Sequence, residues 1–235
     1  MPTLPAPPAP SAPYTHGHAE AVLWSHRWRT ANNSAAYLLP QLSPGMSLLD
    51  VGCGPGTLTA DLAVRVAPGE VLGIDNAPEV VAEAQQCAAR RGIGNLSVRV
   101  ADLYTARLPV ASFDVVHAHQ VLQHVTDPVA ALRRMGELAK PGGLIAARDS
   151  DYSAKTWAPK RPLLDRWLEL YHQITRRNLA EADAGPHLLG WAQRAGLRDV
   201  VFTSSTWTFA TPEDRLWWGQ LWAQRVTQSR FAEQA

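Results

Sequence analysis

The sequence has few of the features that mark a secreted, membrane-spanning or metal-binding chain. Its 235 residues include only two cysteines, Cys53 and Cys87, with no metal-type pairing. Neither a disulfide framework nor a zinc site is indicated, and a reducing, cytoplasmic compartment suits the chain. His16 and His18 form a spaced pair without a third ligand, so no metal is expected. No apolar run reaches membrane-spanning length. The opening "MPTLPAPPAPSAP" lacks the basic start and apolar centre of a signal peptide, and residues 1–18 are expected to form a disordered Pro/Ala-rich tail. Excess charge is missing as well: 22 Lys and Arg face 21 Asp and Glu, for a net charge of +1, which disfavours a nucleic-acid partner. With 46% hydrophobic and 18% charged residues, the chain can bury the core of one globular domain with decorations.

The most informative stretch is Ser47–Ala60, "SLLDVGCGPGTLTA". Ser47–Val51 is a short apolar run bounded by turn signals, which reads as a buried strand. The spacing of Leu58, Leu62, Ala63 and Val66 predicts a helix directly after it. The glycines Gly52, Gly54 and Gly56 therefore sit at a strand-to-helix turn. There glycine permits positive φ and lets a ligand lie on bare backbone, at the partly positive start of a helix. A nucleotide-like ligand suits such a turn.

An alternation of elements follows. Strands are expected at Ser47–Val51, Val71–Asp75, Leu96–Ala101, Phe113–His119, Leu144–Asp149 and Val200–Phe209, with helices at Thr57–Ala67, Pro78–Arg91 and Pro128–Lys140. Asp127 reads as the cap of the last of these helices and the "PGG" at 141–143 as its close. This rhythm predicts a doubly wound α/β fold with a mostly parallel sheet, since parallel neighbours need crossover connections. Residues 19–45 read as a helical lid, helical from Ala19 to Leu39 with a joint near Asn32–Ser34. Residues 46–150 read as the core and 151–196 as a helical acceptor cap with helices at Pro162–Leu179 and Pro186–Ala195. A final strand is expected in 197–210, and a helix capped by Thr211 and Asp214 in 211–235. All nine tryptophans lie outside Met46–Asp149. They are expected to pack the cap on the sheet, and some to line a pocket for an apolar or aromatic acceptor.

A G-x-G-x-x-G dinucleotide fingerprint fails here, because counting from Gly52 places Thr57 at the last glycine position. Acidic residues end successive strands: Asp50, then Asp75, 23 residues after Gly52, then Asp102. Ligands of such sheets bind at that edge. A carboxylate at Asp75 suits ribose hydroxyls, and one at Asp102, beside Leu103, suits an adenine amino group.

The motifs "LLDVGCGPGTLT", "GIDNAPEVVAEA", "ADLYTARLPVASFDVVHAHQVLQHVTDPVAAL" and "LAKPGGLI" together resemble the class I S-adenosylmethionine-dependent methyltransferases, in particular the ubiquinone/menaquinone-biosynthesis-like group. The resemblance implies a Rossmann-like fold, S-adenosylmethionine as cofactor and a small-molecule methyl acceptor. It also implies site residues. Gly52, Gly54 and Gly56 would pack on the methionine moiety and ribose, Asp50 would hold the glycine turn or the amino group, and Asp75 with Asn76 would take the ribose. Asp102 and Leu103 would frame adenine, His119 and Gln120 would lie near the methionyl portion, and Arg29 in the lid would meet its carboxylate. Members of the group close the sheet with a last antiparallel strand. No stretch after Phe209 reads as that strand, so an open sheet edge is expected, which dimerisation would cover.

Methyl transfer from a sulfonium is an in-line displacement that depends on alignment, helped by a base where the acceptor is a hydroxyl, phenol or enolisable carbon. His119 and His124 are the candidate bases, with Asp149 and Asp151 behind them. Tyr14, Tyr152 and Trp157 are candidates to face the acceptor. No "NPPY"-like signature of amino-methylating members occurs, and two cysteines are too few for an arsenic methyltransferase. These features favour an apolar or aromatic acceptor such as a quinone-like compound or secondary metabolite. The alternatives are a modified peptide acceptor, a nicotinamide-dependent oxidoreductase and a non-catalytic methyltransferase-like binding protein.

Overall fold

The computed structural model describes residues 20–234; Tyr14, His16 and His18 lie outside the described residues. Two short helices come first, Glu20–Arg27 (α1) and Ala31–Ser34 (α2). The break between them falls at 28–30 and not at Asn32–Ser34. Capping explains the shift. Thr30 Oγ1 accepts the Asn33 N–H at 3.2 Å and Asn33 Oδ1 accepts the Thr30 N–H at 2.8 Å, so Asn33 belongs to the start of a helix.

Five strands follow among the described residues: Leu48–Val51 (β1), Val71–Asp75 (β2), Leu96–Val100 (β3), Phe113–His119 (β4) and Ala139–Arg148 (β5). Every ladder is parallel, in the order β3-β2-β1-β4-β5. The crossovers are the helices Thr57–Val66 (α3), Pro78–Arg90 (α4) and Pro128–Leu138 (α5). Asp127 caps α5 by accepting the Ala130 N–H at 2.8 Å. The chain winds outward from β1 to β3, then returns to the other side of β1 with β4. A crevice therefore opens at the carboxyl ends of β1 and β4, where the order reverses.

Alternation along the strands sends side chains to two cores. Leu49, Val51, Val116 and Ala118 pack with Leu132 and Met135 of α5 and with Trp191 of the helix Ala184–Ala195. Leu48, Val71 and Val115 pack on Leu58, Leu62 and Val66 of α3. A third cluster, away from the sheet, joins Tyr152, Trp167, Tyr171, Leu221, Trp222 and Phe231. Numbered in order, Pro162–Arg177 is α6, Ala184–Ala195 is α7, Pro212–Gln228 is α8 and Arg230–Gln234 is α9. The cap thus consists of α6, α8 and α9, whereas α7, expected in the cap, joins α5 on the sheet.

The expected strand Val200–Phe209 does not form: residues 200–209 carry no ladder, and five strands stand where six were expected. Side chains hold this stretch instead. Trp207 Nε1 donates to the Asn33 carbonyl at 2.6 Å, and Arg148 donates to Ser205 Oγ at 2.9 Å. It is a strap from the lid to the end of β5. Nothing among the described residues pairs with the outer edge of β5.

Gly56, the N-cap of α3, has φ +82°, and a Cβ there would lie 2.8 Å from Ala84 Cβ and 2.9 Å from Ala84 Cα. Gly56→Ala is expected to lower the unfolding free energy by about 1–3 kcal/mol, through both strain and overpacking of α3 on α4. Urea denaturation measures the loss, and an unchanged midpoint would contradict this packing role.

Candidate functional site

The crevice is built first by the turn after β1. Gly52 and Cys53 donate to the Ile74 carbonyl at 2.8 and 3.0 Å, which fastens the turn to β2. The Gly54 N–H donates to Asp75 Oδ2 at 3.1 Å, and Asp75 Oδ1 accepts the Ala77 N–H at 3.1 Å. The three glycines have different surroundings. A Cβ on Gly52 would lie 2.5 Å from Val121 Cγ2, so its bareness lets the segment after β4 close in. Gly56 faces α4 and is not among the residues that line the cleft. Gly54, with φ +57°, has no protein atom within 4 Å of a Cβ and opens on the cleft. That bare backbone, with carboxylates at the ends of β2 and β3, fits the adenosyl end of the cofactor that the resemblance implies.

Asp75, Asn76, Asp102 and Leu103 line one end of the cleft. Asp102 Oδ1 accepts the Tyr104 and Thr105 N–H groups at 2.8 and 3.2 Å, which fixes the loop after β3. Asp50 also borders the cleft but is 2% exposed. Its Oδ1 lies 2.7 Å from His117 Nδ1, and its Oδ2 accepts the Thr59 hydroxyl at 2.5 Å. It therefore ties β1, β4 and α3 together and serves the frame of the turn.

The other end is built by residues 119–124 under the lid. Gln120 has φ +55° and donates its N–H to the Arg148 carbonyl at 2.7 Å. Arg29 of the lid donates to Gln120 Oε1. His119 is 5% exposed and lines the cleft, and neither of its ring nitrogens bonds to any described residue. Burial lowers its proton affinity well below that of an ordinary histidine, and the charge of Arg29 adds to this. His124 also lines the cleft, its pKa pushed down to about 3, chiefly by burial and then by Arg29 and Arg225. Both rings are neutral at physiological pH.

Asp149 lies behind this segment and accepts the Leu122 and Gln123 N–H groups at 3.1 and 3.3 Å. Burial pushes its pKa up to about 7, against the pull of those N–H groups and of Arg29 and Arg148. Asp151 is placed elsewhere, capping the next turn by accepting the Ala154 N–H at 3.0 Å. Tyr152 reaches the cleft edge and stacks on Tyr171 at 4.0 Å. Trp157 does not reach the cleft: it packs on the cap cluster, with the Lys160 ammonium 5.2 Å from its ring. Tyr14 lies outside the described residues.

Several residues of the site were not picked out from the sequence. Gln123 lines the cleft four residues after His119, within the same "HAHQVLQH" stretch that carries the histidines. Arg225 of α8 also reaches the cleft and bonds to Ser25 Oγ and the Val22 carbonyl of α1. Nothing local in the sequence marks it. Trp207 sits with its ring centroid 6.0 Å from that of His119, 5.2 Å from that of Trp28 and 4.7 Å from the Arg148 guanidinium. Among the described residues no group of three or more His, Cys, Asp or Glu side chains converges as metal ligands.

Two outcomes follow from this geometry. Gly54→Val, which puts a branched side chain into the cleft, is expected to abolish binding of S-adenosylhomocysteine in a calorimetric titration. Gly92→Val is the matched control. Gly92 has φ +64° and equally open surroundings but does not line the cleft, so this variant should bear a similar strain of about 1–3 kcal/mol and keep its affinity. Asp149, with its raised pKa, takes up protons on folding between the ordinary carboxylate value and about 7. Its contribution to stability is present at low pH and lost as the pH rises to about 7. Thermal melts across this window should show Asp149→Asn gaining on the parent as the pH rises; parallel curves would contradict the assignment.

Comparison with known proteins places the chain. Residues 42–206 match the model of a methyltransferase domain family. An uncharacterized methyltransferase of Schizosaccharomyces pombe is 34% identical over 224 residues, which cover 92% of this chain and 80% of that protein. Nocamycin O-methyltransferase of Saccharothrix syringae is 43% identical over 103 residues, 43% of this chain and 37% of that one. Among solved structures, phosphoethanolamine N-methyltransferase 2 of Haemonchus contortus is similar in fold at a TM-score of 0.62 and 18% identity, covering 88% of this chain and 47% of that one. A family match over most of the chain, supported by a relative aligned along nearly all of it, leads to one assignment: the chain belongs to the class I S-adenosylmethionine-dependent methyltransferases.

Proposed function

We propose that the chain methylates a hydroxyl or enolic position of a small apolar or aromatic molecule, of quinone or secondary-metabolite type. The observation that carries this reading is the position of His119. A buried, neutral imidazole with no bonding partner among the described residues stands at the cleft beside the ring of Trp207. A flat acceptor lying in the cleft beside Tyr152 would bring a hydroxyl to the His119 ring. The name of nocamycin O-methyltransferase, which acts on oxygen, supports the class.

S-adenosylmethionine supplies an electrophilic methyl on a sulfonium. The chain's residues supply alignment, which is the greater part of catalysis for an in-line displacement. In this reading Gly54, Asp75, Asn76, Asp102 and Leu103 hold the adenosyl end. Arg29 and Gln120, already bonded to each other, hold the amino-acid end. His119 accepts the acceptor's proton, and His124 and Gln123 shape the wall opposite the lid. Tyr152 borders the acceptor side. The two cysteines are buried and free, which accords with a cytoplasmic site of action, and no described helix is long and apolar enough to cross a membrane.

The test is a panel of phenols, hydroxyquinones and enolisable dicarbonyls, incubated with isotopically labelled S-adenosylmethionine and read by mass spectrometry. Transfer to oxygen is expected. His119→Phe, which keeps an aromatic ring but removes the proton acceptor, should lower kcat by about 10²- to 10⁴-fold while affinity for S-adenosylhomocysteine holds. An unchanged kcat would remove His119 from this role. Cofactor binding without turnover across the whole panel would favour a binding protein.

A further inference from the structure

Outside the cleft, one basic group is placed in unusual surroundings. The chain has three lysines, at 140, 155 and 160, among its 22 basic residues. Lys140 pairs with Asp114 at 2.8 Å, and Lys160 lies over Trp157. The Lys155 ammonium has no carboxylate partner among the described residues. Its Nζ sits 3.5 Å from the ring centre of Tyr152, 5.2 Å from that of Trp167 and 5.1 Å from that of Trp222. These rings come from the loop after β5, from α6 and from α8. Together they form an aromatic cage.

We propose that Lys155 is a methyl acceptor within the protein itself, and that the cage selects its methylated forms. The cage shares a wall with the cleft: Tyr152 lines the cleft, and so does Arg225, whose guanidinium lies 4.9 Å from the Trp222 ring. Burial, with Arg225 adding to it, pulls the Lys155 pKa down to about 7, so a substantial share of the amine carries a free lone pair at neutral pH. The ammonium proton passes to solvent. The Nζ lone pair then forms a C–N bond to the sulfonium methyl as the S–C bond breaks, with its electron pair going to sulfur. Methylation keeps the charge that the rings attract and adds methyl groups that pack on their faces.

The inference rests on the cofactor cleft described above, and the experiment keeps the two apart. The full chain, purified without added cofactor, is titrated calorimetrically with S-adenosylhomocysteine, then incubated with labelled S-adenosylmethionine and mapped by peptide mass spectrometry. Labelled mono-, di- or trimethylation of Lys155 is expected, with Lys140 and Lys160 unlabelled as internal controls and the label lost in Lys155→Arg. Binding of the homocysteine form with Lys155 unlabelled would overturn the proposal and leave the cleft standing. Equal labelling of all three lysines would overturn it as well. Absence of binding would overturn both readings.

Discussion

The buried carboxylate of Asp50 is the constraint around which the cleft is organised. A carboxylate at 2% exposure costs several kcal/mol in lost hydration unless it is bonded on all sides. It is bonded to His117 on β4 and to Thr59 on α3, the two elements that flank the point where strand order reverses. Those bonds are short, buried and directional, so β1, β4 and α3 cannot slide past one another without stranding a charge. The glycine turn hangs from the next residues, and its second anchor, the Ile74 carbonyl, belongs to β2. Gly54 can face outward because everything around it is held from behind.

The far side of the cleft is held by other means. The sheet is held by aliphatic side chains and backbone ladders, and Trp191 of α7 is the one tryptophan in its buried core. The lid, strap and cap have no ladders to hold them, and there the large rings collect. Trp28 after α1, Trp207 and Phe209 in the strap, and Trp217 in α8 meet at centroid distances of 5.2 to 5.6 Å. Pairs of this kind contribute about 0.5–1.5 kcal/mol each beyond the area they bury. Arg148 joins the cluster to the sheet by lying over Trp207 and donating to Ser205. This aromatic cluster is thus what closes the lid on the core.

The core was legible in the sequence because its signals are local. Asp75 and Asp102 follow apolar runs, and Asp127 and Thr211 precede helices at capping positions. The strand order and the resulting crevice follow from alternation and crossover chemistry. What could not be read depends on distant partners. Gly56 looks like Gly54 in the sequence, and only the approach of Ala84, on another helix, gives it a different task. The stretch "VVFTSSTWTF" has strand composition, but its fate is decided by Asn33 and Arg148, far away in the chain. α7 carries the same kind of apolar stripe as a cap helix, and only the face offered by α5 draws it to the sheet. Arg225 enters the cleft from the last long helix, with no neighbouring motif to announce it.

The electrostatics of the cleft bear on when a proton would move in the proposed reaction. Arg29, Arg148 and Arg225 place positive charge around His119 and His124, and burial strips both rings of hydration, so neither carries a proton at rest. A ring so disfavoured from taking a proton is a poor base toward a free hydroxyl. As an acceptor oxygen forms its bond to carbon, however, it gains positive character and its proton becomes far more acidic. His119 then matches the task late in the transfer and not before it. The same depression that makes the resting histidine inert keeps it unprotonated, and therefore free to accept, over the whole physiological range of pH.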